Sequence, residues 1–215
     1  MNQTKIIFLV FLLSSCSLNN GSIAPGYFQA YEEIKNIFLG NDNEIDPKII
    51  SNIPYASMVV KIGNGPSALM ILESVSNDEY TWISADGVYF VLKKGKIVKT
   101  NGLPNNLYET VSPFVNWQET IRLNKDFTSF LSFRKPELNN LRVSYAYSVE
   151  EEIEENLIFE KKKLTKIEER IYSKSIAWEE VNYYWVDDNY FVWKSIQNIS
   201  PRLPPIYIEV TKKPR

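Results

Sequence analysis

The chain has 215 residues, with 24 Lys and Arg against 26 Asp and Glu, a single cysteine and no histidine. Without a basic surplus, nucleic acid is not an expected partner. Without histidine there are no His triads, His metal ligands or His general bases, and one cysteine cannot form an intrachain disulfide.

In chain order, Met1 to Lys5 form a short cationic head, and Ile6 to Leu13 form an apolar run. That run is about eight residues, against the roughly 20 that a spanning helix needs, so residues 1–15 read as a signal peptide. Leu13-Ser14-Ser15-Cys16 has the form of a lipobox. Processing there would leave Cys16 as the acylated N-terminus, palmitate being the typical chain. Two or more acyl chains hold a protein in its membrane at about 0.8 kcal/mol per buried methylene. Residue 17 is Ser, not Asp, and by the bacterial sorting rule that favours the outer membrane. The lipid on Cys16 is the only non-protein group expected, with no metal and no other cofactor.

Residues 16–26 read as a lipidated N-terminus and tether, small and polar and ending in Pro25-Gly26. Residues 27–215 read as one β-rich domain. A helix is predicted over 27–39, where Phe28, Tyr31, Ile34 and Phe38 recur at helical steps before Gly40. Asp46-Pro47 is a start signal for a short second helix that Pro54 ends.

Strand patterns run from Ala56 onward. Met58 to Ile62 and Ala68 to Val75 flank the turn cluster Gly63 to Pro66. Asp86-Gly87 predicts a type I′ hairpin between the Tyr80–Trp82 and Val88–Leu92 strands. Lys94-Gly95 predicts another, with Lys93, Lys94, Lys96 and Lys99 solvated about its tip. Leu107 to Val111 suggests a helical turn, and Trp117 to Leu123 a strand. The stretch 150–172 fits two templates, a hairpin about Lys161–Lys163 or one long helix, with the hairpin favoured. Asp187-Asp188-Asn189 is a further turn, and Ile206 to Val210 a last strand. The fold class is therefore mainly β with one or two N-terminal helices, a large antiparallel meander.

Glu73, Asp86, Glu109, Asp187 and Asp188 are the carboxylates that a hydrolytic acid/base pair would draw on, though Asp86 and Asp187 have simple turn roles. Trp82, Trp117, Trp185 and Trp193 lie on or beside predicted strands. Core packing is the ordinary role there, and a glycan or partner contact the functional alternative.

Two stretches carry a family resemblance. Thr81 to Val88 continues into Gly95-Lys96-Ile97-Val98-Lys99-Thr100-Asn101-Gly102-Leu103-Pro104-Asn105-Asn106-Leu107. The second is Tyr184-Trp185-Val186-Asp187 followed by Val192-Trp193-Lys194-Ser195-Ile196-Gln197 and Pro201. Together they resemble the YjbF/GfcB lipoproteins of group 4 capsule and exopolysaccharide operons, from about Ile49 to the C-terminus. One departure is Asp188-Asn189-Tyr190, where a glycine-bearing turn is expected. The resemblance implies a body curling into a partial (half) barrel, anchored at the periplasmic face of the outer membrane. It implies a non-enzymatic part in polysaccharide assembly or export, with export proteins or the polysaccharide as partners, and it transfers no active site. The rival readings are a general envelope-assembly lipoprotein and a carboxylate-based polysaccharide-modifying enzyme.

Overall fold

The computed structural model describes residues 47–111, 116–123 and 126–214. The signal peptide, Cys16, the tether and the helix expected over 27–39 lie outside the described residues.

Twelve strands form one antiparallel sheet. They are β1 (Ser57–Ile62), β2 (Ser67–Ser76), β3 (Glu79–Ser84), β4 (Tyr89–Lys93), β5 (Lys96–Asn101) and β6 (Asn106–Val111). They continue as β7 (Phe127–Arg134), β8 (Leu138–Asn156), β9 (Lys161–Ser173), β10 (Trp178–Val186), β11 (Val192–Gln197) and β12 (Ile206–Lys212). Each strand pairs with its chain neighbour, except that β5 and β6 do not pair, and β12 pairs with β1. The sheet is thus an up-and-down ring, open at one seam. Across that seam the Leu107 N–H donates to Thr100 Oγ1 at 3.0 Å, and Thr110 Oγ1 donates to the Val98 carbonyl at 2.9 Å. Side chains stitch the two edges where a ladder would otherwise run, so the expected partial barrel is nearly closed.

Alternation does the rest. Met58, Met70, Trp82, Phe90, Val143, Ile167, Tyr184 and Ile206 project inward into one apolar core. The long hairpin β8–β9 carries ion pairs Lys163–Glu152, Lys161–Glu154 and Lys166–Glu150 on exposed side chains. Charged pairs on that outward face of the hairpin differ from the apolar band of a lipid-spanning strand. A second, smaller cluster joins Ile50 and Ile53, from and after helix α1 (Pro47–Ser51), to Leu69, Ile71 and Ala85, with Ile158 of the β8–β9 tip packed on it.

The stretch 150–172 is the favoured hairpin, in strands of 19 and 13 residues. It reverses earlier than expected, at Leu157–Glu160, where the Leu157 N–H bonds to the Glu160 carbonyl, and Lys161–Lys163 open β9 opposite Glu154–Asn156. Three further expectations change. Trp117–Leu123 is a helix (α2), not a strand. Asn116 caps it, its Oδ1 accepting the N–H groups of Gln118 and Glu119 at 3.1 and 3.4 Å. Leu107 to Val111 belongs to β6, not to a helical turn. The Asp86-Gly87 reversal is not type I′, because only Gly87 has positive φ. Gly87 N–H bonds to Ser84 O and Ser84 N–H to Val88 O, which is a three-residue loop closing on a left-handed glycine. The Asp187 turn has the same shape, with Tyr190 at φ 59 in the glycine position.

Candidate functional site

The two stretches that carry the family resemblance meet in space. Gln197 on β11 accepts the Ile97 N–H at 2.9 Å and donates to the Gly95 carbonyl at 2.9 Å. Gly95 has φ +82, and a Cβ there would lie 2.4 Å from Val192. Only glycine fits both the turn and that contact. Trp117 Nε1 adds a bond to the Lys94 carbonyl at 2.7 Å. The β4–β5 hairpin tip therefore tucks into the barrel end. Farther along, Asn106 bonds both ways to the Leu103 backbone, and Asn105 donates to the Arg134 and Lys135 carbonyls. These residues hold the seam loop.

The tuck carries Lys96 inward, which corrects the expectation of a solvated lysine cluster. Its ammonium pairs with Glu169 of β9, a carboxylate with no solvent exposure. Glu169 also accepts from Tyr147 Oη, from Asn182 Nδ2 at 2.8 Å and from Tyr184 Oη at 2.9 Å. All its partners are donors, so the buried anion is saturated. Burial alone would push this carboxyl up; the Lys96 ammonium, with the Tyr147 and Asn182 donors, outweighs burial and holds it below the usual range. The Tyr145, Tyr147 and Tyr184 phenols go the other way, raised by burial and by the nearby Glu169 charge.

Beside this cluster lies a cavity of about 210 Å³. Lys96, Glu169, Asn182, Tyr184, Asn198 and Trp178 are among its walls, and Glu79 and Lys93, partly exposed, stand among the lining residues too. Glu169 was legible as an anomaly, since it interrupts the inward face of Thr165, Ile167 and Ile171. Lys96 and Trp178 gave no local signal, because their role depends on the tuck and on the barrel's curvature.

The tryptophans divide. Trp82, Trp117 and Trp185 are buried, so none offers an outward stacking face. The indole N–H groups of Trp82 and Trp185 find no hydrogen-bond partner among the described residues. Trp193 is half-buried. Its Nε1 donates to Asp187 Oδ2 at 3.0 Å, with Lys162 4.3 Å from its ring centroid. Asp187 also accepts the Asn189 and Phe191 N–H groups at 2.9 Å. Against its partial burial, these bonds and the nearby Lys213 hold its carboxyl below the usual range. Asp86 accepts from Ser84 Oγ within its own turn. Both aspartates thus have turn roles.

Fold and site define a small antiparallel barrel, packed within, with a cavity of mixed apolar and polar lining at a plugged end. The family model described as YjbF, group 4 capsule polysaccharide lipoprotein GfcB, matches residues 31–211, and the chain belongs to that family. Two Escherichia coli (strain K12) proteins are similar. One is the uncharacterized lipoprotein YjbF, 25% identical over 109 residues, covering 51% of this chain and 49% of that protein. The other is the uncharacterized lipoprotein GfcB, 26% identical over 106 residues, covering 49% and 46%. The matched part thus spans about half the length of these relatives. The crystal structure of the hypothetical lipoprotein YmcC from Escherichia coli (K12) shares the fold, with TM-score 0.69 and 20% identity over 81% of this chain and 92% of that one.

Proposed function

We propose that the chain is a lipid-anchored envelope lipoprotein that supports capsule or exopolysaccharide assembly or export without catalysing a reaction. The family match over residues 31–211 carries this reading. The lipobox at Cys16 supports an anchor, and Ser17 supports the outer membrane, with the barrel on its tether at the periplasmic face. A non-catalytic role fits the carboxylates described: Asp86 and Asp187 are engaged in turns, and Glu169 is fixed by an ion pair. The partners would be export proteins of the outer membrane or the polysaccharide itself, with Trp193 the one of the four candidate tryptophans still placed to touch them.

The test is a gene deletion with quantitation of polysaccharide on the surface and in the periplasm. Less surface polymer, restored by the wild-type chain, is expected. Normal surface polymer would overturn the reading, and a leaky envelope alongside it would shift the role to general envelope assembly. Labelling with a palmitate analogue should mark the wild-type protein and leave Cys16→Ala unlabelled; label retained in that variant would remove the anchor.

A further inference from the structure

The cavity at the plugged end has more polar character than a packing defect requires. An apolar barrel can fill its interior with apolar side chains, and most of this one does. Here the chain instead buries a carboxylate and an ammonium, at a cost that a hydrophobic filling would avoid. Every acceptor position described on Glu169 is taken, so the network is rigid before any ligand arrives. Lys96 and Asn198 are both among the cavity's walls. The Lys96 ammonium donates two hydrogen bonds among the described residues, to Tyr147 and Glu169, and stands 4.4 Å from the centroid of the Tyr145 ring. Asn198 Nδ2 donates to the Val181 carbonyl at 2.9 Å, while its Oδ1 accepts nothing among the described residues. The rings of Trp178 and Tyr145 line the same space.

Charge and size narrow the ligand. Among the walls, Lys93 and Lys96 are balanced by Glu79 and Glu169. A site without net charge gives an anion or a cation no advantage. A volume of about 210 Å³ holds about seven waters, and falls short of the roughly 300–1,000 Å³ of drug-sized sites. The combination of aromatic rings, one free amide oxygen and an ammonium among the walls matches a small ring with apolar C–H faces and a hydroxyl rim. From this we infer that the cavity binds one uncharged sugar unit, its ring against Trp178 and its hydroxyls on Asn198 Oδ1 and Lys96 Nζ. The inference rests on the polysaccharide role proposed above and gives that role a ligand and a place.

The experiment uses the full-length acylated protein in detergent, titrated with neutral hexoses, N-acetylhexosamines and their disaccharides, with glucuronic acid as the charged probe. Trp178 is the one tryptophan among the lining residues, so binding reads out as a change in indole fluorescence. At least one neutral sugar is expected to bind and glucuronic acid to bind more weakly. Trp178→Phe should abolish the fluorescence change. Asn198→Ala, a milder substitution, should raise Kd about tenfold, the loss of a hydrogen bond to a site already organised. A disaccharide that binds more tightly than its monosaccharide points to a chain end as the natural source, and equal binding points to a free sugar. No binding across the neutral panel overturns the inference, as does a preference for glucuronic acid, or a fluorescence change lost in Trp193→Phe and kept in Trp178→Phe. The deletion phenotype separates the two claims. Reduced surface polymer with no sugar binding leaves the polysaccharide role standing and removes this ligand; normal surface polymer removes the role itself.

Discussion

Glu169 is the residue on which the interior depends. Its carboxyl sits below the ordinary value of 4.5 because of Lys96, with smaller help from Tyr147 and Asn182. A depressed folded value means stability that is present above about pH 4.5 and lost as pH falls through the folded value. Urea midpoints measured down that range should therefore fall in the wild type, and Glu169→Gln should remove that part of the slope. Lys96→Met makes a stronger statement. Without the ammonium, burial is the largest remaining influence and raises the carboxyl. The contribution then changes sign: present below pH 4.5, lost as pH rises through the new folded value. The variant should lose about 3 kcal/mol at neutral pH, the usual cost of stranding one member of a buried pair, and recover part of it on acidification. A Lys96→Met protein whose midpoint falls with acid like the wild type would show that Glu169 is not held by that pair.

The β8–β9 hairpin is an element with two jobs. Its strands wall the barrel, while its tip bends onto the outer face. There the Ile158 N–H donates to the Glu209 carboxylate of β12, and Lys194 of β11 bonds Glu155 at 2.6 Å. Burial raises the Glu209 carboxyl, opposed by the Ile158 N–H and Lys194 and assisted by Glu155. Glu209→Ala should speed exchange of the Ile158 amide about tenfold, one hydrogen bond's worth. Glu209→Gln keeps an acceptor and should leave that amide protected; equal exchange in the two variants would mean the bond does not hold the tip.

The strands also show what was readable in advance. The apolar runs Met58–Ile62 and Ala68–Val75, and turn residues at Gly63–Pro66, Lys94-Gly95 and Asp187, marked the strands because turn chemistry and pleat are local. The helix at Trp117 was missed because Trp, Thr and Ile favour strands. The sign that could have found it is Asn116 followed three residues later by Glu119, a capping pattern. The site was harder to see. Lys96 and Glu169 are 73 residues apart, and nothing local distinguishes a lysine at an exposed hairpin tip from one whose tip is folded inward. Gly95 and Gln197 carried that information, but only as a pair, and only once β5 and β11 face each other.

At the scale of the molecule, the seam between β5 and β6 decides whether the barrel is one closed body or a sheet with two edges. Unpaired edges invite pairing with other chains. Here Thr100 and Thr110 cover them, reaching the Leu107 N–H and the Val98 carbonyl. Leu107 and Thr100 are both buried, at 2% exposure, so water cannot replace the Leu107 bond. Thr→Val keeps shape and removes the hydroxyl. Thr100→Val should therefore cost about 1–3 kcal/mol by leaving a buried donor unpaired, and Thr110→Val, on a half-buried residue, about 1 kcal/mol. The double variant should unfold at a lower urea midpoint and, with its edges uncovered, should self-associate with rising concentration in light scattering. An unchanged midpoint with a monomeric protein would mean that the Asn105–Asn106 loop closes the barrel without the threonines. The seam also borders the cavity, whose walls include Thr110, Val98 and Leu107. Opening it should then weaken sugar binding in the double variant even under conditions where the protein stays folded, which ties closure of the barrel to use of its interior.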